Sequence, residues 1–187
     1  MIASGQQVIL RDRFPSDVDS FIYWRTHGEW RKLDAPWEVV LDHVSADKAT
    51  ELRERFLETC AKEPPEPRTL AAIATLDGTP LGWVNRYHAK GNPDEWYVGI
   101  GIAEGGLWDR GLGTESLWLW VDYLFANSDF RRIGLTTWSF NPRMMRVAEK
   151  VGFLYEGIQR EVREWEGKFL DRVQYGMLRR EWEALRQ

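Results

Sequence analysis

The segment Trp108-Asp109-Arg110-Gly111-Leu112-Gly113-Thr114 constrains this chain most, because it turns a strand into a helix. Before it, residues 95–102 read as a strand. After it, Leu117, Trp120, Val121 and Leu124 recur at i, i+3, i+4 and i+7, the apolar stripe of a helix. Residues 132–138 then return as a strand. Strands joined through a helix can pair in parallel, whereas hairpin-linked strands are antiparallel, so the sheet is mixed. Glycines at the strand–helix junction let the backbone aim its N–H groups at one point, and the helix adds the positive end of its dipole. Together they form an anion site suited to a pyrophosphate, with Arg110 placed for a charge-assisted contact. The segment is not a Walker loop, since no Gly-Lys-Ser/Thr follows. Nor is it a dinucleotide fingerprint, since the third glycine is missing. A glycine turn before a helix is also structurally ordinary, so phosphate binding needs a second signal.

The rest of the chain supplies the sheet. Val8-Ile9-Leu10 is a short opening strand. Ser16 precedes Asp17, an expected N-cap, and a helix follows through Arg25 to end near Gly28. Residues 30–43 read as a loop with short helical turns, broken at Pro36. Ser45 is expected to cap a second helix, with Leu52, Phe56 and Cys60 on one face. The prolines of 62–67 end it. Residues 70–75 and 81–87 form a hairpin about an Asp77-Gly78 turn, and 89–94 reads as a second turn. Residues 142–151 are a helix, 155–165 and 169–178 a closing hairpin, and a short helix ends the chain. The order is β-α-α-β-β-β-α-β-α-β-β-α. Residues 1–187 are read as a single domain, the size for one core.

Composition narrows the function. The net charge is −4 and the pI about 5.5, which argues against a nucleic-acid partner and weakly suits a cationic acceptor. Cys60 stands alone, and His27, His43 and His88 are far apart, so neither a disulfide nor a metal site is expected. No signal peptide and no membrane-spanning apolar run are visible, so the expected location is cytoplasmic, without a membrane partner. Eleven tryptophans is high usage. Most are expected in the core, with some lining a cleft.

The second signal is Asn141-Pro142-Arg143-Met144-Met145-Arg146-Val147-Ala148-Glu149-Lys150-Val151-Gly152-Phe153, followed by Glu156-Gly157. With the glycine turn about thirty residues earlier, this resembles the GNAT N-acetyltransferases, most of all the RimJ/RimL type. That type acetylates ribosomal-protein N-termini and, in relatives, small amines. The resemblance runs from the strand at Val8 to the closing Asp171…Trp182. It implies an α/β (α+β) GNAT fold: a mixed, mostly antiparallel sheet of about seven strands, splayed in the middle and flanked by helices. It further implies an acyltransferase with acetyl-CoA as co-substrate and no metal. The strand at 97–102 would part from 132–138, and the pantetheine arm would bond the backbone at Ile100, Gly101 and Ile102 like an added strand. The pyrophosphate would sit on the amides of Trp108, Asp109, Arg110, Gly111, Leu112, Gly113 and Thr114. Asn141 would meet the pantetheine or the thioester, and Arg143 or Arg146 a CoA phosphate, unless these arginines simply form a solvated helix face.

The chain departs from the family at the general acid. Met144 stands where RimJ/RimL-like chains carry Ser, and Ala148 where other GNATs place a tyrosine. Neither donates a proton, so the acid must come from elsewhere or the thiolate leaves through water. Candidates for the base are Glu95 and Tyr97, then Glu104, Asp171 or Glu164. Each is also an ordinary surface charge, or for Tyr97 a core ring. For the acceptor, Trp30, Asp34, Trp37, Trp83, Tyr87, Trp96, Trp138 and Asp171 are the candidates, since ring faces and a carboxylate suit a cation. The same tryptophans would equally lock the N-terminal helices onto the sheet. The acceptor stays open between a protein α-amino group, a small amine or polyamine, and an aminoglycoside. A non-catalytic acetyl-CoA-binding module is the alternative from another class, and a homodimer stays open.

Overall fold

The structure is a computed structural model and describes residues 1–34, 36–37, 46–89 and 92–186. Its strands are β1 (Ala3–Ser4), β2 (Val8–Arg11), β3 (Leu70–Thr75), β4 (Pro80–Ala89), β5 (Asn92–Ile102), β6 (Arg132–Trp138), β7 (Leu154–Trp165) and β8 (Lys168–Leu178). Its helices are α1 (Val18–His27), α2 (Arg31–Asp34), α3 (Ala46–Ala61), α4 (Leu112–Ala126), α5 (Pro142–Val151) and α6 (Arg179–Leu185). All eight strands join one sheet in the order β1-β2-β3-β4-β5-β6-β8-β7. Among the described residues only β5 and β6 pair in parallel; every other neighbour is antiparallel. This is the mixed, mostly antiparallel sheet expected, with one strand more.

The extra strand is β1. Two residues are too few for alternation to show, and side-chain chemistry holds them in place instead. Gly5 donates its N–H to the Val8 carbonyl at 2.9 Å. The amides of Gln6 and Gln7 then point at the Glu115 carboxylate in the first turn of α4.

Helix α4 fills one face of the sheet. Leu117, Trp120, Val121 and Leu124 are fully buried, as their spacing predicts, and the Trp120 indole donates to the Asn85 carbonyl at 3.0 Å. Along β4, Val84 joins that core. Trp83, Asn85 and Tyr87 alternate with it and therefore face the other side. There Trp24 of α1 and Trp30 close on Trp83, with ring centroids 6.3 and 4.9 Å away. Phe21 of α1 packs on the buried Phe56 of α3 at 4.9 Å, the apolar face expected of that helix.

Three expectations change. Asp17 does not cap α1 with its side chain. It lies buried in a two-pronged ion pair with Arg11, at 2.7 and 2.8 Å, and accepts the Phe14 amide at 2.8 Å. Burial alone would raise its pKa, but the Arg11 hydrogen bond, the Phe14 amide and the Arg11 and Arg13 charges outweigh it, so the carboxyl is held below the usual range. The expected turn at 89–94 is shorter, because Ala89 still pairs with Asn92 and both strands run on. The Ser45 cap and much of the expected loop at 30–43 lie outside the described residues. Finally, most tryptophans are not core. Only Trp24, Trp120 and Trp182 fall below a tenth exposed, and four others line the cleft described next.

Candidate functional site

Among the described strands the one parallel pairing is short for the length of its strands. β5 and β6 meet only at Trp96↔Ile133 and Tyr97↔Gly134. A Cβ at Gly134 would lie 2.7 Å from the Tyr97 ring, so the glycine lets that ring lie flat on the closing pair. Beyond it the strands part. Residues 98–102 and 135–138 then face each other across a cleft of about 430 Å³.

At the mouth of the cleft lies the glycine turn. Gly111 is left-handed (φ 85°) at the N-cap of α4, and Asp109 is left-handed too (φ 61°). The first intrahelical bond runs from the Glu115 amide to the Gly111 carbonyl at 3.0 Å. The amides of 112–114 precede it and have no helical acceptor. All three residues line the cleft, so three donors and a helix dipole converge on it, a fit for a phosphate oxygen. A Cβ at Gly113 would meet only Ile102 and Val147, at 3.9 and 4.0 Å. Protein packing does not demand a glycine there, but close approach of a ligand to the backbone would.

Helix α5 forms the other lip. Asn141 caps it, its Oδ1 accepting the Met144 amide at 3.1 Å, while its Nδ2 donates to the Leu33 carbonyl at 3.1 Å. The residue therefore joins α5 to the end of α2. Arg143 binds Asp109 at 3.1 Å and lies 5.0 Å from the Trp108 ring centre. The Trp108 indole donates to the Ile102 carbonyl at 3.0 Å, so that carbonyl is already engaged. The two sequence motifs thus grip each other. Arg146 and Lys150 complete a basic lip on the cleft, and Arg110 stays on the loop, exposed and outside the lining.

The opposite wall comes from β4, reaching over β5. A Cβ at Gly101 would collide with the Trp83 indole at 2.5 Å, and one at Gly99 with Asn85 Oδ1 at 2.4 Å. The two glycines leave the room that brings Trp83 and Asn85 into the cleft, and Tyr87 follows on the same face. Asn85 Oδ1 is buried there without a hydrogen-bond partner among the described residues. Trp30, Leu33, Asp34, Trp138 and Arg172 complete this end. Tyr87 is 43% exposed, through the cleft. Burial still raises its pKa; the adjacent Thr136 hydroxyl lowers it, Asp34 raises it and Arg172 lowers it, with a net upward shift.

Of the expected cofactor residues, Ile100, Gly101, Ile102, Trp108, Asp109, Gly111, Leu112, Gly113, Thr114, Asn141, Arg143 and Arg146 line this one cleft. Of the acceptor residues, Trp30, Asp34, Trp83 and Trp138 do. Trp37 stands behind Trp138, edge-on at 4.7 Å. Asp171 is outside the lining, where its carboxylate accepts the Glu161 amide at 2.8 Å and fixes a bulge in β7. Glu95 and Tyr97 are also outside it. The Tyr97 hydroxyl donates to Glu95 at 2.8 Å, beside Arg132, beneath the closing pair rather than above it. Glu104 and Glu164 are exposed and outside the lining as well. The sequence reading does not single out Asn85 or Arg172, which the structure places in the lining. Tyr87 was read only as a wall, although alternation from Trp83 could have put all three β4 residues on one face.

Among the described residues no group of three or more His, Cys, Asp or Glu side chains gathers as a metal site, and no helix is long and apolar enough to cross a membrane. Residues 7–154 match the acetyltransferase (GNAT) domain family. The aminoglycoside N(6')-acetyltransferase type 1 of Klebsiella pneumoniae is 32% identical over 95 residues, 46% of this chain and 47% of that protein. A putative ribosomal N-acetyltransferase of Bacillus subtilis is 31% identical over 88 residues, 44% of this chain and 48% of that one. The chain thus spans about half the length of the curated relatives it matches. Among solved structures, the spermidine N-acetyltransferase of Vibrio cholerae in complex with CoA and spermine superposes with a TM-score of 0.71. It is 17% identical, covering 96% of this chain and 99% of that one. The chain belongs to the acetyltransferase (GNAT) domain family.

Proposed function

We propose that this GNAT domain binds acetyl-CoA in the splayed cleft and transfers the acetyl group to a primary amine by direct attack. The carrying observation is the two-pair ladder between β5 and β6, with an anion-binding helix start at its mouth. The amides of 112–114 hold the pyrophosphate, Arg143, Arg146 and Lys150 meet the remaining phosphates, and the free edge at 98–101 receives the pantetheine amides as an added strand. The cleft thereby holds thioester and amine together, converting a bimolecular encounter into an oriented one. We read residues 1–187 as one such domain, working in the cytoplasm.

The acceptor enters from the α1–α2 side, between Trp30, Trp83, Trp138 and Tyr87. The described charges at that end are Asp34 and Arg172, one of each sign. An aminoglycoside or polyamine carries several cations and would favour several carboxylates. The balance here supports a singly charged acceptor: a small amine, or the N-terminus of a protein as in the RimJ/RimL type. Asp34 attracts the ammonium form and the aromatic faces hold it.

Acetyl-CoA-dependent thiol release tests this against ribosomal-type N-terminal peptides, free amino acids, polyamines and aminoglycosides. Turnover with a single-amine acceptor is expected. Preference for the polycations would refute the acceptor reading alone. Tight acetyl-CoA binding with no release from any acceptor would replace the transferase by a binding module, the reading that Met144 and Ala148 at the usual acid positions favour.

A further inference from the structure

Met144 and Ala148 leave the family's usual acid positions on helix α5 without a proton donor, yet the deep end of the cleft holds one. Tyr87 of β4 stands opposite Tyr97 of β5, and Tyr97 stands opposite Gly134 of β6 in the last pair before the strands part. Tyr87 is therefore level with the base of the V. Its ring stacks on Tyr97 with centroids 5.9 Å apart, and its hydroxyl lies by Thr136, two residues beyond the closing pair. A pantetheine arm entering at the glycine turn and following the strand edge would bring its thioester to this depth. The amine, entering past Trp83, reaches the same point from the other face.

Resting on the transferase reading above, we propose that Tyr87 is the proton relay of the reaction, passing its hydroxyl proton to the departing sulfur and accepting the proton shed by the amine. The amine lone pair forms the new N–C bond, and the C–S bond breaks with its electron pair on sulfur. One proton leaves nitrogen and one reaches sulfur. Both atoms sit on the same carbon during transfer, so a single oxygen can touch both. Tyr87 begins and ends as a neutral phenol, and no other acid or base is consumed once the amine is uncharged. The environment suits that use. Asp34 from α2, Arg172 from β8, Thr136 from β6 and Tyr97 from β5 face the phenol, and burial with Asp34 prevails in keeping it protonated above its ordinary pKa.

Tyr87→Phe tests the idea, because it keeps the ring on Tyr97 and removes only the hydroxyl. With the best acceptor of the panel, kcat should fall by about a hundredfold or more, while the acetyl-CoA Kd and the thermal midpoint stay at wild-type values. The wild-type solvent deuterium isotope effect on kcat should change in the variant. A kcat within about twofold of wild type would overturn the relay and leave the transferase reading standing. So would a loss matched by weaker acetyl-CoA binding or a lower midpoint, which would make Tyr87 a packing residue. A wild-type protein that binds acetyl-CoA but turns over no amine would remove both readings together.

Discussion

Replacing Gly101 by alanine should damage the acceptor wall while sparing the cofactor wall. The new Cβ would lie 2.5 Å from Trp83 Cζ2 and 2.8 Å from both Cε2 and Cη2. Carbon atoms rest about 3.5–4.0 Å apart, so the indole must retreat by about 1 Å. It has little room: Trp30 meets it edge-on at 4.9 Å and Trp24 lies at 6.3 Å. Overpacking of this kind costs about 1–3 kcal/mol, and each kcal/mol lowers Tm by about 2–4 °C in a chain of this size. A drop of about 2–12 °C is expected from the two ranges together. Acceptor KM should rise as Trp83 leaves its place. The acetyl-CoA Kd, measured by calorimetry, should move far less, because the glycine's missing side chain points at Trp83 and not along the strand edge. Gly106→Ala is the control, since no atom lies within 4 Å of its Cβ. It should change stability by no more than about 0.5 kcal/mol. Equal Tm losses in the two variants, or an unchanged acceptor KM in Gly101→Ala, would refute the account of how β4 reaches the cleft.

Other outcomes follow from local chemistry. The new Cβ of Gly111→Ala would meet only the Gln7 side-chain amide nitrogen, at an ordinary 3.5 Å, but the residue must adopt φ 85°, so about 1–2 kcal/mol of strain and weaker acetyl-CoA binding are expected. Gly111→Asn, which tolerates that conformation better, should recover part of both by calorimetry. Asp17→Asn strands the buried Arg11 and should cost about 3–5 kcal/mol in urea unfolding. Because the folded carboxyl titrates below the unfolded one, the pair's contribution is complete above about pH 4 and is lost as pH falls through the folded value. Wild-type stability should therefore decline on acidification more steeply than the variant's. Trp37→Ala removes the backing of Trp138 and should raise acceptor KM without touching the acetyl-CoA Kd. A lower Tm with an unchanged KM would make Trp37 a lock between loop and sheet.

The glycine-turn half of the cleft is legible in the sequence because it is local. Gly111, Gly113 and Asn141 act through backbone turns and caps, which short spacings encode, and their neighbours line the cleft in turn. The tryptophan-lined half is less so, because it depends on pairs far apart in sequence. Trp83 reaches the site only because Gly101 is small, and nothing in either segment names the other. Glu95 and Tyr97 fall outside the lining for a related reason. They lie on the right strand, but the ladder to β6 still holds at Tyr97, and alternation alone does not reveal where a pairing ends. Asp17 looked like a cap because Ser-Asp before an apolar helix often is one. Its partner Arg11, six residues earlier, is explained only by the burial of both.

The two-pair ladder has a thermodynamic consequence for the whole chain. β1 to β5 form one continuous antiparallel array and β6 to β8 another, and along the backbone only Trp96, Tyr97, Ile133 and Gly134 stitch them. Each such hydrogen bond contributes about 0.5–1.5 kcal/mol net, so the seam is a weak line between the two arrays and a place where local opening should start. A ligand bound to both edges acts as a removable rung. It stabilises by about 2.7 kcal/mol when present at a hundred times its Kd, and it should slow amide exchange on both arrays at once. Cooperativity of unfolding would then be a property of the complex more than of the polypeptide, rising with cofactor concentration.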